Sequence, residues 1–286
     1  MSYYTALFRT RAFAKEPVAT LLRASNWILG HRLLNRHARI VVPAGRKSFV
    51  LDLPPLPRQS GSAGIFLQRQ YYEPLLEHLD LLVRPGYVVF DCGANQGIYT
   101  CAFGTLVGPK GRVEAFEPQK YAVEIARRNV VLNSFDNVRI NRFAISSMVG
   151  NTFLDTSRGG VAASIVKDFG RSRGETVAVT TLDTFAEEHS ISHVDLIKMD
   201  LEGAEFEALL GAQRIIEACR PALILEGADG DASWLKSQEF LAKRDYETYT
   251  FGRSGALVRL ERLGGHCPNV VFFARNSFRK PLARRP

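Results

Sequence analysis

Residues Val88–Gly97, with the sequence VVFDCGANQG, decide the fold class. An apolar run leads directly into Asp91, which is typical of a buried parallel strand. Gly93 and Gly97 follow, and glycine lets the backbone turn sharply and approach a ligand closely. Because Ile98–Val107 is patterned as a helix, the loop joins the carboxyl end of a strand to the start of a helix. Ligands bind at this place in open α/β sheets, although an ordinary glycine-rich turn is the alternative.

The loop also restricts the kind of ligand. Asn95 stands where the dinucleotide motif G-x-G-x-x-G has its second glycine, and no Gly-Lys-Ser/Thr of a P-loop follows. The carboxylate of Asp91 would repel pyrophosphate but suits a ligand with a cationic amine. Glu117 ends a second strand-like run, 20 residues after Gly97, which is the spacing of an acid that binds ribose hydroxyls.

The rest of the chain alternates strand and helix patterns, which predicts an α/β fold with helices on both faces of a mostly parallel sheet. Later predicted strands are Arg112–Glu117, Asn137–Ala144, Asp195–Asp200, Pro221–Glu226 and Tyr246–Phe251. A last strand, Asn269–Ala274, is predicted to be antiparallel because Leu257–Gly265 is too short for a crossover helix. Residues 151–181 break the alternation, and a hairpin there would border a substrate pocket or be a plain surface feature.

The two ends of the chain are basic. The net charge is +8, and residues 1–50 hold nine Lys and Arg against the single acid Glu16. Residues 275–286 hold five Lys and Arg and no acid, so the remainder is net acidic. Such ends would contact a membrane surface, nucleic acid or an anionic glycan, or form solvated tails.

Val18–Leu34 has a helical apolar stripe that would pack on the domain or lie on a membrane surface, and Arg39–Leu53 is patterned as a hairpin.

Composition and cysteine usage limit which classes of protein and which cellular locations fit the sequence. Apolar residues make up 46% of the chain, enough for one large core, and no apolar run approaches the roughly 20 residues of a membrane span. The four cysteines form no CxxC pair, so we expect reduced thiols and no zinc site. Charges interrupt any signal-peptide core, and an Arg-rich start would otherwise fit a mitochondrial presequence. We therefore expect a cytoplasmic protein.

A family resemblance joins these features. The segments VVFDCGANQGIYT, EAFEP, TLDTF, DLIKMDLEGAEFEALLGA and RPALILE, with the lead-in QYYEPLLEHLDLLVRPG, resemble the FkbM family of S-adenosylmethionine (SAM)-dependent methyltransferases. The resemblance covers about residues 65 to 226, and IKMDLEGAE is its most specific part. It implies a Rossmann-like class I methyltransferase fold with a seven-stranded sheet, SAM as cofactor, and usually O-methylation. We predict three segments: a basic extension of helix and hairpin at 1–64, the methyltransferase domain at 65–274, and a basic tail at 275–286.

The cofactor-binding residues follow from the loop, the strand ends and the resemblance. The predicted set is Asp91 for the amino group, Gly93, Ala94, Asn95 and Gly97 around the methionine part, Glu117 for the ribose hydroxyls, and Ala144 and Ile145 for adenine. Tyr71, Tyr72 and Glu73 would cover the pocket as a lid or belong to a packing helix.

The predicted catalytic residues lie where the transferred methyl would sit. Asp200 ends its strand, and strand alternation puts Lys198 on the same side. The pair would bind or deprotonate a hydroxyl, or Lys198 would only neutralise clustered acids. Glu202 follows in the next turn, where acids also favour a helix dipole. Glu226 would be a general base with a pKa raised by neighbouring carboxylates.

Three further interpretations stay open beside this one: a metal-assisted enzyme, a nucleic-acid methyltransferase and a non-catalytic SAM-binding module. Asp200, Glu202 and Glu226 are residue types of a divalent-metal site, but their spacing does not establish one, and we predict none.

The expected acceptor is a hydroxyl of a sugar or glycan, a lipid-linked compound or a secondary metabolite. The alternatives are a nucleic-acid methyltransferase that uses the basic ends, although no aromatic-basic stacking platform is present, and a non-catalytic SAM-binding module. Peripheral membrane contact through the basic N-terminus is a further expectation.

Overall fold

The computed structural model describes residues 7–55, 61–155, 164–166, 174–228, 232–252, 255–261 and 266–275. Of the predicted basic tail, only Arg275 lies within these ranges. The strands in chain order are Ala38–Ala44 (β1), Lys47–Leu53 (β2), Val88–Cys92 (β3), Arg112–Phe116 (β4), Val138–Asn141 (β5), Ala144–Ile145 (β6), Gly150–Asp155 (β7), Ser164–Val166 (β8), Gly174–Thr180 (β9), Leu196–Met199 (β10), Ala222–Ala228 (β11), Tyr246–Phe251 (β12), Leu257–Arg259 (β13) and His266–Ala274 (β14).

Two helices precede β1, and the others lie between the strands. The helices are Arg11–Lys15 (α1), Pro17–Asn26 (α2), Ser62–Gln68 (α3), Ile98–Val107 (α4), Lys120–Leu132 (α5), Leu182–Glu188 (α6), Glu205–Leu210 (α7), Gln213–Cys219 (α8) and Ala232–Ala242 (α9). A π-helical turn, Trp27–Arg32, continues α2, and 3₁₀ turns occupy Arg69–Tyr71 and Pro74–Leu81. None of the helices in the described ranges combines the length and the apolarity needed to span a membrane.

The main sheet has the strand order β13-β12-β14-β11-β10-β3-β4-β5. Its central strands β11, β10, β3, β4 and β5 run parallel, and β14 is antiparallel to both of its neighbours. This confirms the Rossmann-like prediction with an antiparallel last strand. The short strand β13 pairs antiparallel with β12 and makes eight strands instead of the predicted seven. After β3 the chain forms β4 on one side of β3 and later forms β10 on its other side. Ligands bind where the strand order reverses in this way.

The central strands are apolar on both faces because helices cover both. Val89 and Phe90 of β3 are fully buried on opposite sides of the sheet. One core lies under α4, α5 and the β1–β2 hairpin, and the other lies under α6, α7, α8 and α9. Phe90, Phe116 and Phe185 meet edge to face in the second core, with ring centroids 4.7 to 6.2 Å apart. The continuous apolar runs of the sequence are therefore explained by burial on both faces.

The N-terminal hairpin β1–β2 is bonded to the helix that supports the glycine loop. Asn129 of α5 is fully buried, and its Oδ1 accepts a hydrogen bond from the backbone of Asp52 at 2.7 Å. The Nδ2 of the same amide donates to the carbonyl of Gln96 at 2.9 Å. One buried side chain thus links the hairpin to the loop, which fixes both because a buried amide without partners is costly.

Two segments whose sequences have a helical apolar pattern are divided. The segment Ile65–Leu82 breaks at Arg69, which has a positive φ of 54°, and again before Pro74. The second segment, residues 205–218, divides into α7 and α8 around Gly211. A Cβ at Gly211 would lie 2.1 Å from the carbonyl oxygen of Ser146, so the chain passes too close to its neighbour for any side chain. Helical periodicity alone carries no information about that approach.

The predicted irregular segment 151–181 joins β6 in a small separate sheet, whereas the strand predicted over Asn137–Ala144 leaves the main sheet after Asn141. The strand order of the small sheet is β6-β9-β7-β8, and β7 pairs antiparallel with β9 as the alternating pattern indicates. The residues between 156 and 163 and between 167 and 173 lie outside the described part. Leu154 of β7 faces the cavity described next, which places this insertion beside the site.

Candidate functional site

A cavity of about 250 Å³ lies at the carboxyl ends of β3, β4, β10 and β11. Ten of the predicted site residues line it: Gly93, Ala94, Asn95, Glu117, Ala144, Ile145, Lys198, Asp200, Glu202 and Glu226. Asp91 and Gly97 do not line it and support the loop from behind. The topology brings these residues together because the carboxyl ends of parallel strands meet at one edge of the sheet.

Two glycines give the loop its shape. Gly93 has φ of +84°, and a Cβ there would lie 1.9 Å from the carbonyl oxygen of Asp200. Gly97 has φ of +85°, and its Cβ position is 3.3 Å from Ala126 of α5. The amides of Gly93 and Ala94 both donate to the carbonyl of Phe116, at 2.9 and 3.0 Å. The loop therefore lies tightly against β4 and β10, where its backbone borders the cavity.

We expect Gly93→Ala to lower the free energy of unfolding by about 2–5 kcal/mol, because left-handed backbone strain costs roughly 1–2 kcal/mol and overpacking roughly 1–3 kcal/mol. Gly86→Ala is the matched control, because Gly86 has φ of +88° with nothing within 4 Å of its Cβ position. The control should lose only about 1–2 kcal/mol. Chemical denaturation measures the free energy of unfolding of both variants. Equal losses would show that the close approach of Gly93 to Asp200 adds no cost to that of the left-handed backbone.

Asp91 is a fully buried acid behind the loop. Its Oδ2 accepts a hydrogen bond from the hydroxyl of Thr100 at 2.5 Å, whereas its Oδ1 has no hydrogen-bond partner. Burial raises the pKa of this carboxyl, and the ammonium of Lys198 and the bond from Thr100 oppose the rise. A buried carboxylate oxygen without a donor is costly, so Asp91 retains capacity for a further donor.

Glu117 follows β4 and faces the cavity with a carboxylate that is 4% exposed. Its Oε2 accepts from the amide of Asn95 at 2.8 Å, and its Oε1 accepts from the amide of Gln119 at 2.9 Å. Burial raises the pKa of Glu117 to about 7, despite these two backbone bonds. Each oxygen keeps a lone pair, so the carboxylate can accept two further hydrogen bonds from a ligand.

Lys198 is the cation of the site and is buried on β10. Its Nζ donates to Oδ2 of Asp200 at 3.0 Å and lies 4.4 Å from the ring centroid of Tyr99. Burial opposes the charge on Lys198, but the carboxylates of Asp200, Asp91 and Glu73 outweigh that effect and raise the pKa of the ammonium. The structure therefore shows the Lys198–Asp200 pair that strand alternation predicted.

Three more carboxylates surround Asp200. Glu226 borders the cavity from β11, and burial, followed by the charges of Asp200, Glu202 and Glu205, raises its pKa to about 7. The residue Glu202 is exposed, but partial burial of its carboxyl and the charge of Asp200 raise the pKa. Glu205 is buried and accepts from the amides of Leu201 and Gly203, so it shapes the loop and does not line the cavity.

The cavity is acidic overall. Five carboxylates and one ammonium line it: Glu73, Glu117, Asp200, Glu202 and Glu226, with Lys198 as the cation. Within the described part of the chain, no group of three His, Cys, Asp or Glu side chains has the arrangement of a metal site. A cavity with this excess of acids favours a cationic ligand.

The methyltransferase FkbM domain matches residues 91–247, more than half of the chain. The chain belongs to this family. The FkbM domain contains the glycine loop, Glu117, the acidic cluster and the small inserted sheet.

Known relatives of this FkbM-domain chain include two curated proteins. The 2-O-methyltransferase NoeI of Sinorhizobium fredii is 27% identical over 158 residues, which are 50% of this chain and 64% of NoeI. The chain thus covers less than two thirds of that relative. The 31-O-demethyl-FK506 methyltransferase FkbM of Streptomyces tacrolimicus is 25% identical, over 77% of this chain and 87% of the relative. A solved methyltransferase FkbM from Methylobacillus flagellatus KT is 19% identical with a TM-score of 0.45, over 74% of this chain and 52% of that chain.

Several residues that line the cavity were not predicted as cofactor or catalytic residues. Tyr99 lies in the first turn of α4, where its hydroxyl donates to Oε2 of Glu73 at 2.8 Å. Tyr72 and Glu73, which were predicted to form a lid or to belong to a packing helix, line the cavity, whereas Tyr71 donates to Glu16. The position of Tyr99 just after Gly97 was the available signal, because the first helical turn lies at the same edge of the sheet.

Proposed function

We propose that this chain is a SAM-dependent O-methyltransferase that acts on a hydroxyl of a sugar or glycan, a lipid-linked compound or a secondary metabolite. One observation carries the proposal: a single cavity holds Glu117 on one side and the Lys198, Asp200 and Glu226 group on the other. The names of NoeI and FkbM, which specify methylation at oxygen, support it.

The residues present fit SAM. Glu117 has two oxygens available for the two ribose hydroxyls, and Ala144 and Ile145 form a buried apolar wall for adenine. Asp91 has an oxygen without a donor and lies behind the cavity wall, so it would meet the amino group of SAM through water. SAM carries a sulfonium and an ammonium, and the acidic lining favours such a cation.

The chain's own residues would prepare the acceptor. When bound, SAM supplies a methyl group that an acceptor oxygen takes up as the carbon–sulfur bond breaks. Glu226, with its pKa near neutrality, is suited to remove the hydroxyl proton. Lys198 holds Asp200 in one orientation, and the outer oxygen of Asp200 can orient the same hydroxyl. Positioning of this kind supplies much of the rate enhancement in enzymes that join two substrates.

The proposal is tested by calorimetric titration of SAM and S-adenosylhomocysteine into the full chain. We expect both to bind in the micromolar to millimolar range, and we expect transfer of a labelled methyl group to hydroxylated acceptors. The transfer assay is run with and without magnesium. Absence of binding by both ligands would overturn the proposal at its first requirement.

The affinity for SAM should depend on pH through Glu117. The carboxylate accepts the ribose hydroxyls best when it is deprotonated, and its pKa is about 7. At pH 6 about one tenth of the protein has the binding-competent form, so the Kd should be about tenfold higher than at pH 8. The affinity therefore rises with pH through 7, which calorimetry at a series of pH values measures.

Two variants assign this pH dependence to one group. Glu117→Gln should remove it, since no titrating carboxyl remains at that place. Glu226→Gln is the matched control, because the pKa of Glu226 is also about 7 but the residue lies at the other side of the cavity. A pH dependence that survives Glu117→Gln and vanishes in Glu226→Gln would contradict the assignment.

A further inference from the structure

Helix α2 and the turn after it carry an apolar face that points outward. Its large apolar side chains are 45% to 70% exposed: Val18, Leu21, Leu22, Leu29, Leu33 and Leu34. The inward side of the same segment buries Thr20, Ala24 and Trp27. Of the large apolar side chains of this segment only Trp27 is buried, whereas an ordinary surface helix turns its apolar stripe toward the core. We call these six exposed residues the α2 apolar face.

Within the described ranges, the exposed large apolar residues are concentrated in and beside the α2 apolar face. Thirteen large apolar residues are exposed within the described ranges, and seven of them lie between residues 8 and 34, since Phe8 adds to the α2 apolar face. Single exposed apolar residues are common on proteins, but a contiguous group marks a place where something binds.

Positive charges flank the face at both ends. Arg9, Arg11 and Lys15 are exposed before it, and Arg36 is exposed after it. The single acid within residues 1–50 is Glu16, whose carboxylate is paired with Arg23 at 2.7 Å. No carboxylate of this segment is therefore left to balance the flanking cations.

We propose that the α2 apolar face docks on an anionic phospholipid bilayer. An apolar helix face enters the boundary between headgroups and acyl chains, and flanking Lys and Arg contact anionic headgroups. A second copy of the chain fits this face less well, because a two-fold contact would bring the same cation-rich segments together. The charge of the flanks complements the bilayer and opposes self-association.

The docking face is joined to one wall of the cavity. Trp27 packs on Phe66 of α3 with ring centroids 5.1 Å apart, and Arg23 donates to the carbonyl of Leu67 at 3.4 Å. Ile65 of the same helix lines the cavity. A bilayer bound at α2 would thus lie one helix away from the cavity wall.

The test is cosedimentation of the full chain with vesicles of phosphatidylcholine alone and of phosphatidylcholine with phosphatidylglycerol. We expect binding to the vesicles with phosphatidylglycerol and weaker binding as salt rises, because 1 M salt shortens the Debye length to about 3 Å. The triple variant Leu22→Ser, Leu29→Ser, Leu33→Ser should lose at least about tenfold in partitioning. Arg9→Gln, Arg11→Gln, Lys15→Gln should lose the preference for phosphatidylglycerol.

The matched control removes three exposed apolar residues elsewhere, in Val131→Ser, Met148→Ser, Val258→Ser. It should bind vesicles as the wild type does. Equal loss in both triple variants, or no vesicle binding by the wild type, would overturn the proposal. A wild-type dimer that the leucine variant converts to a monomer in sedimentation velocity, without vesicle binding, would assign the face to a second copy instead. The thermal transition of the leucine variant should match the wild type, because these side chains are largely exposed.

Discussion

The variant Glu117→Ala should weaken SAM binding by roughly 10²–10⁴-fold, because it removes two hydrogen bonds to a charged group, each contributing about 1.5–3 kcal/mol. The carboxylate of Glu117 also accepts the amides of Asn95 and Gln119, so the variant loosens the loop that borders the ligand. S-Adenosylhomocysteine should lose affinity to the same extent, since it has the same ribose. Calorimetry on wild type and variant measures both effects.

A neighbouring acid provides the control for this experiment. Glu124 is exposed on α5, seven residues along the chain, and does not line the cavity. Glu124→Ala changes the net charge by the same amount and should leave the Kd for SAM unchanged. If Glu117→Ala bound SAM as tightly as Glu124→Ala does, the ribose would have to bind elsewhere.

The position of the site could be predicted from sequence because it depends on strand ends. Asp91, Glu117, Asp200 and Glu226 each end an apolar run, and the register of β3, β4, β10 and β11 brings three of them to the cavity. Burial is the largest cause of the raised pKa values of Asp91, Glu117 and Glu226, and neighbouring charges and hydrogen bonds add to it or oppose it. The strand pattern did not predict that Asp91 is fully buried and does not line the cavity.

Contacts between distant segments could not be predicted. The hydrogen bond between Tyr99 and Glu73 joins a helix after the glycine loop to the lead-in segment, and no local pattern indicates it. The bridge through Asn129 is similar, because a single Asn within an otherwise regular helix pattern shows nothing of its partners in the hairpin and the loop. Local propensity determines elements, whereas such pairs are specified only by the packed structure.

Glu226→Gln is expected to lower kcat by about 10²–10³-fold, within the range that general acid–base catalysis contributes, and to leave the Kd for SAM nearly unchanged. The variant retains the size of the side chain but cannot take a proton from the acceptor hydroxyl. Glu207→Gln is the control, because Glu207 is exposed on α7 and bonded to Ser147, outside the cavity lining. Rates are measured at saturating SAM, so that the titration of Glu117 does not enter kcat.

The pH profile distinguishes a base from a residue that only positions the acceptor. A general base must be deprotonated, so wild-type kcat should rise with pH through about 7 and then level off, following the pKa of Glu226. This rise should disappear in Glu226→Gln.

Asp200→Asn should act differently on the same profile. It removes the neighbouring negative charge that raises the pKa of Glu226 most, and it leaves the positive charge of Lys198 less neutralised. Both changes lower the pKa of Glu226. The rise in kcat should therefore move to lower pH and remain visible, while kcat on the plateau falls because the acceptor loses a positioning carboxylate. A profile that stays at the same pH in Asp200→Asn would mean that the titrating base is not coupled to Asp200 and is not Glu226.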